Sequence, residues 1–244
     1  MSNWKSLLDW LRLFPMFWNL SSAASADKSS EFFHGFESLS RRVVKREEFI
    51  VSICAGKRVL HFGFLDSPFL EQKLSNGSLL HARIKKHAEY AFGIDVDQRV
   101  LGQYRALTND MDNTIHDIQT WDDSSTACLM GDYDVILFSE VLEHIESPLR
   151  ALRNLNRVCL ANERSVLCVT VPNAMSAVGF YAALRGYEMV HPDHFCYFSP
   201  NTLSRLLVSA GFRNIDMSLY TGSVRSPGIT QHGVIALCTA SSTV

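Results

Sequence analysis

The strongest constraint on this chain is an alternation of short, continuous apolar runs with segments of helical periodicity. Asp134-Val135-Ile136-Leu137-Phe138 and Ser165-Val166-Leu167-Cys168-Val169-Thr170-Val171 lack the apolar–polar alternation of a half-exposed strand. Both faces of such strands must be covered, which is the situation in a parallel sheet sandwiched between helices. Arg58–Phe62 and Tyr90–Ile94 read as two earlier strands, and a weakly written third lies near 114–117. Helices are expected over about 36–54, 79–87, 97–107 and 148–159. Ser199-Pro200 opens a further helix, with serine as N-cap and proline in the first turn, and Gly211 closes it. Two last strands near 215–220 and 233–238 predict an antiparallel hairpin at the C-terminal end. The expected fold is α/β: a doubly wound, mostly parallel sheet of seven strands ending in that hairpin.

A length of 244 residues suits one such domain, over 31–244, preceded by a segment over 1–30. Net charge is −2 and the basic residues are spread along the chain, so bulk charge gives a nucleic-acid partner no support. The six cysteines (Cys54, Cys128, Cys159, Cys168, Cys196 and Cys238) lack the close paired spacings of a zinc site and read as buried free thiols in a reducing compartment. No uninterrupted apolar run reaches the roughly 18 residues of a membrane span. A cytoplasmic protein is expected.

The N-terminal segment places Trp4, Leu7, Leu8, Leu11 and Phe14 at helical spacing, followed by a small, polar linker over 21–30. Ala24-Ser25-Ala26 resembles a signal-peptide cleavage site, but Asp9 and Arg12 interrupt what would be its apolar core. An amphipathic helix lying on a membrane surface or a partner is one reading. Packing on its own domain or on a second subunit is the other, and the one preferred.

In an open parallel sheet, ligands bind beyond the carboxyl ends of the strands. After the first strand comes Gly63-Phe64-Leu65-Asp66-Ser67-Pro68. Gly63 permits close backbone approach, and Asp66 or Ser67 can cap a following helix whose N-terminus favours a carboxylate. After the second comes Asp95, a carboxylate that can accept both hydroxyls of a ribose or else cap a helix. Asp117 follows the weak third strand, where it can accept from an adenine amino group.

Four stretches taken together resemble the successive motifs of class I, Rossmann-like S-adenosylmethionine (SAM)-dependent methyltransferases: 59–67, 92–97, 133–144 and 165–173. The late segments His191-Pro192-Asp193-His194-Phe195, 198–203 and Ala210-Gly211-Phe212 are similar to one subgroup of that family. The resemblance implies SAM as cofactor, held by Gly63, Phe64, Asp66, Asp95, Val96, Asp117, Ile118 and Ser139. The chain departs from the family at His61, where an acidic residue is usual, and at Leu65 and Ser67, where further glycines are usual. Leu65 is expected to put bulk where the cofactor meets the backbone.

Glu140-Val141-Leu142-Glu143-His144 follows the central strand directly. If a helical turn starts there, Glu140, Glu143 and His144 project to one side. Two carboxylates and an imidazole suit a divalent cation such as Mg²⁺ or Mn²⁺, or proton transfer. This triplet resembles the metal ligands of small-RNA 2′-O-methyltransferases and of ubiquinone-pathway O-methyltransferases, with His194 matching the additional histidine of the RNA enzymes. Many family members carry Glu-His here without metal, using it to shape the substrate pocket. The candidate metal ligands are thus Glu140, Glu143, His144 and His194, and the candidate catalytic residues are His144, Glu143 and His194. The segment 175–191, with Phe180, Tyr181, Leu184 and Tyr187, falls where this family places its substrate cover, and its aromatics read equally as substrate contacts or as core.

The leading expectation is O-methylation of a small molecule or glycan precursor. Metal-dependent RNA 2′-O-methylation and a non-catalytic module of the same fold are the alternatives. The full glycine fingerprint of a nicotinamide oxidoreductase is absent.

Overall fold

A computed structural model describes residues 39–120, 131–160, 164–221 and 231–241. The N-terminal helix and linker expected over 1–30, and Cys128, lie outside the described residues. The chain forms two compact units, Met1–Glu37 and Ser38–Val244, and every described residue belongs to the second.

The described elements are β1 (Leu39–Val44), α1 (Arg46–Cys54), β2 (Arg58–Phe62), α2 (Leu70–Ser75), α3 (Leu80–Lys85), β3 (Tyr90–Asp95), α4 (Gln98–Thr108), β4 (Asn113–Ile115), β5 (Val135–Ser139), a 3₁₀ turn (Leu142–His144), α5 (Pro148–Leu160), β6 (Val166–Pro172), α6 (Ala177–Leu184), α7 (Pro200–Ser209), β7 (Phe212–Tyr220) and β8 (Gly233–Ala240). The strands form one eight-stranded sheet in the order β1-β7-β8-β6-β5-β2-β3-β4. Its pairs are parallel except β6/β8 and β7/β8, so β8 alone runs backwards. The topological reversal falls between β2 and β5, whose carboxyl ends carry Gly63 and Glu140.

The strand count corrects the expectation of seven. The segment expected as one helix over 36–54 splits into β1 and α1. Phe36, Leu39, Val43 and Ile50 imitate helical spacing, but the adjacent β-branched Val43 and Val44 suit a strand. Parallel pairing of β1 with β7 covers what would otherwise be an open sheet edge. Tertiary hydrogen bonding thus overrides the local pattern, and Lys45, extended, separates the two elements.

The apolar strands are buried on both faces. Ile136 and Phe138 belong to the cluster under α5 and α7, while Val135 and Leu137 join Ile50, Val59 and Cys168 on the opposite side. A third cluster joins Phe64, Leu65, Leu79, Leu101 and Tyr104 below the loop after β2. Ser199 caps α7 in a reciprocal capping box with Thr202, and Pro200 stands in the first turn. Among the described residues the cysteines are free thiols, and no helix is long and apolar enough to cross a membrane.

Candidate active site

The loop after β2 decides whether a cofactor can approach. Gly63 has φ +70°, and a Cβ there would stand 2.4 Å from Val141 Cγ2, so glycine is required on two counts. Leu65 does not obstruct the site. Its side chain is 0% exposed and packs into the third cluster, while its backbone N–H donates to Asp95 Oδ2 at 3.0 Å. The loop therefore keeps its shape without further glycines: the bulk turns inward, and Asp66 takes the second left-handed position at φ 54°.

Asp66 is held by an ion pair with Lys73 in α2. Contrary to the expectation from sequence, neither Asp66 nor Ser67 caps that helix; its N-cap is Phe69, without a side-chain cap. Asp95 is not a helix cap either. Asp97 fills that role, accepting from Arg99 and Val100 N–H, while the Asp95 carboxylate accepts from the N–H groups of Leu65, Val96 and Asp97. Asp95 thereby staples the β2 loop to the β3 loop, and a carboxylate's several lone-pair directions leave room for further donors.

All eight residues expected to hold the cofactor line one of two adjoining cavities. A slot of 210 Å³ is bounded by Gly63, Asp95, Val96, Asp117 and Ile118 with Phe62, Phe138 and Val141. A polar cleft of 550 Å³ is bounded by Gly63, Phe64, Asp66, Asp95, Val96 and Ser139. Gly63, Asp95, Val96, Val141 and His144 belong to both walls. An apolar slot with Asp117 in its wall suits a purine ring. The cleft, lined by carboxylates, suits a ribose and a zwitterionic tail.

Glu140 follows β5 at φ 53° and lines the cleft. Its carboxylate receives the Thr170 hydroxyl at 2.8 Å and the Tyr220 hydroxyl at 3.0 Å from each oxygen, and Arg46 lies 3.5 Å away. The Arg46 guanidinium also sits over the Tyr220 ring, 5.7 Å from its centroid. Burial, and then Glu140, push the Tyr220 hydroxyl well above the ordinary tyrosine range, so it remains a donor.

Glu143 is buried in the 3₁₀ turn and outside the cleft wall, with one carboxylate oxygen lacking any partner. Burial, and then the charge of Glu140, push its carboxyl up to about 8. Its backbone carbonyl accepts from Phe195 N at 2.8 Å and Cys196 N at 3.3 Å, which hangs the 191–197 loop on this turn.

That attachment brings His191 and His194 to His144. Ring centroids are 4.6 Å apart for His144–His194, 5.4 Å for His191–His194 and 5.9 Å for His144–His191. Partial burial lowers the His144 pKa, and burial with the neighbouring rings lowers that of His194, so both imidazoles are neutral at pH 7. Of the four metal ligands expected from sequence, the structure gathers His144 and His194 with His191. Neither Glu140, committed to Tyr220, Thr170 and Arg46, nor Glu143 completes that group. The Glu-x-x-Glu-His residues are thus not assembled as one cation site: the turn is 3₁₀, and it begins after Glu140.

His191 and His194 also line a second pocket of 430 Å³, with Pro172, Asn173, Met189, Val190 and Tyr197. It lies beyond β6 and shares those two histidines with the 550 Å³ cleft. The aromatics of the segment 175–191 are not core. Helix α6 buries none of its residues, and Phe180, Tyr181 and Tyr187 are 60%, 61% and 71% exposed.

Sequence reasoning missed Arg46, Thr170 and Tyr220, which come from three different elements and carry no local motif. It also missed the buried pair His61 and His81, whose Nδ1 atoms are 3.2 Å apart. The histidine standing in place of an acid at 61 was the available signal.

Fold and cavities together define a doubly wound α/β protein with a cleft at the topological switch point of its sheet. A family model described as "Methyltransferase domain" matches residues 50–217. The chain belongs to that family and is a class I SAM-dependent methyltransferase. No protein with a curated description matches the sequence. Among solved structures, the chain is similar to a SAM-dependent methyltransferase from Thermotoga maritima, described as a possible histamine N-methyltransferase. Identity is 15%, with 79% of this chain and 86% of that one covered and a TM-score of 0.53. It is similar to the small RNA methyltransferase HEN1 at 15% identity and TM-score 0.53, covering 81% of this chain and 25% of that one. The N-terminal domain of EvdMO1, determined in the presence of SAH and D-fucose, matches at 16% identity and TM-score 0.51, with 80% and 81% covered.

Proposed function

We propose that the protein methylates a hydroxyl oxygen of a small molecule or glycan precursor bound in the 430 Å³ pocket. The observation that carries this reading is the shared wall: His191 and His194 line both that pocket and the cofactor cleft. An acceptor seated on one side of these rings lies next to the cleft that would hold the cofactor on the other.

Bound SAM supplies a methyl group on a sulfonium, which an acceptor oxygen takes as it loses its proton, leaving a neutral thioether. In this reading the Asp95 carboxylate receives the ribose hydroxyls and the Asp117 carboxylate the adenine amino group, with the slot excluding water around the ring. A neutral imidazole of His144 or His194 takes the proton from the acceptor hydroxyl. The protein's remaining contribution is alignment, since displacement at carbon is limited chiefly by geometry. D-fucose, the sugar present with the EvdMO1 domain, is one hydroxylated compound to test as an acceptor. The RNA reading required Glu140, Glu143, His144 and His194 on one metal, and it has less support.

Calorimetric titration of the full chain with SAM, S-adenosylhomocysteine and NAD tests the first half. Adenosyl ligands should bind and NAD should not, and Asp95→Ala should weaken binding tenfold or more, by roughly 1.4 kcal/mol. Failure of both adenosyl ligands to bind sinks the reading. Transfer from radiolabelled SAM to hydroxylated sugars and phenols then tests the acceptor class, and exclusive transfer to RNA or to amines overturns it.

A further inference from the structure

We infer that His144, His191 and His194 form a binding site for one zinc-class divalent ion at the junction of the cofactor cleft and the acceptor pocket. Each residue offers a ring nitrogen, and these three atoms all lie within 4.8 Å of one another. Tetrahedral zinc with N ligands at about 2.0–2.1 Å needs nitrogens roughly 3.4 Å apart, so the rings need only close slightly. His144 and His191 are exposed and His194 half-exposed, on a turn and a loop joined through the Glu143 carbonyl, and His191 Nδ1 accepts from the Asp193 N–H at 3.3 Å.

The chemistry of the donors selects the ion. Three imidazoles without a carboxylate favour borderline ions such as Zn²⁺, Co²⁺ or Ni²⁺, whereas Mg²⁺ and Mn²⁺ require oxygen ligands. The nearest carboxylate, Asp193, has an oxygen 3.7 Å from His191 Nδ1 and stands outside the three-histidine group, while Glu140 is engaged by Tyr220, Thr170 and Arg46. Three protein ligands leave a fourth position open, as in catalytic rather than structural zinc sites. That position would suit an acceptor hydroxyl, whose acidity the ion would raise, the proton then passing to water; the imidazole base of the proposed function belongs to the ion-free protein. This role rests on the methyltransferase reading above, while ion binding itself does not.

The test is titration of chelator-treated full-length protein with Zn²⁺, and with Co²⁺ followed by visible absorption, in the absence of SAM. One equivalent should bind, Co²⁺ should give the d–d bands of a tetrahedral site, and Mg²⁺ should not compete at equal concentration. His191→Ala and His194→Ala should each lose roughly 100-fold or more in affinity, since changes beyond the ligand shell alone cost tenfold to a hundredfold. Glu140→Gln should retain the ion, and circular dichroism confirms that each variant is folded. Absence of zinc uptake, uptake indifferent to His191→Ala, or Mg²⁺ binding abolished by Glu140→Gln overturns the inference. Because SAM titration is independent, the cofactor reading and the ion site fail separately.

Discussion

The Tyr220 hydroxyl stands 3.0 Å from each carboxylate oxygen of Glu140. It ties the end of β7 to the end of β5 across two intervening strands, with Thr170 of β6 bonded to the same carboxylate. A hydrogen bond to a charged acceptor contributes about 1.5–3 kcal/mol. Tyr220→Phe should therefore lower stability by ~1–2 kcal/mol, less than the full bond because Thr170 and Arg46 remain. Denaturant titration measures this, and an unchanged midpoint would show the bond to be energetically idle.

Gly63→Ala should be strongly destabilising. The new Cβ would meet Val141 Cγ2 at 2.4 Å, and φ +70° is unfavourable for alanine. A combined cost of about 2–4 kcal/mol is expected. Adding Val141→Ala removes the contact but not the dihedral cost, so the double variant should recover part of the loss. Full recovery, or none, would show that only one of the two effects operates.

Glu143 gives the protein a pH dependence of known sign. Its carboxyl titrates near 4.5 in the unfolded chain and is pushed up to about 8 in the fold. Between those values the folded state holds a proton that the unfolded state has released, so stability falls as pH rises through the window. Glu143→Gln mimics the protonated acid and should flatten this slope. At pH 8.5 the variant should be more stable by ~1–2 kcal/mol, or ~2–8 °C in Tm for a domain of this size. Melting curves at pH 6 and 8.5 decide it.

The buried His61–His81 pair works in the opposite direction. Burial, and then His81, hold His61 well below its ordinary value; burial, and then Lys85, bring His81 down to about 3. Unfolded histidines take up protons near pH 6.5, while these stay neutral, so stability should fall as pH drops below that point. In His61→Leu/His81→Leu the acid side of the stability profile should lose up to two protons of slope. Urea midpoints between pH 7.5 and 4.5 provide the measurement, and an unchanged slope would mean that other groups dominate.

Much of the fold was legible because β5 and β6 are apolar on both faces and alternate with helical segments, the pattern of a sheet covered by helices on both sides. β1 was not, since its pairing with β7 is a contact across the whole domain and leaves only a misleading helical spacing. Topology singled out Gly63, Asp95 and Asp117 and the family resemblance added Ser139; the structure places all four in the walls of the two adjoining cavities. The fate of Leu65 was not, because whether a side chain turns toward a cleft or into a core depends on the cluster beneath it. The Glu140 clamp and the three-histidine cluster join residues dozens of positions apart, and no spacing rule connects them.

Residue 143 divides its work between two parts of one amino acid. The side chain sets an electrostatic condition, which substitution can rewrite. The carbonyl suspends the loop bearing His191 and His194, and every residue type supplies a carbonyl. The residues around that loop that line the 430 Å³ pocket, such as Met189, Val190 and Tyr197, are therefore open to substitution while the hook that holds the histidines in place stays intact.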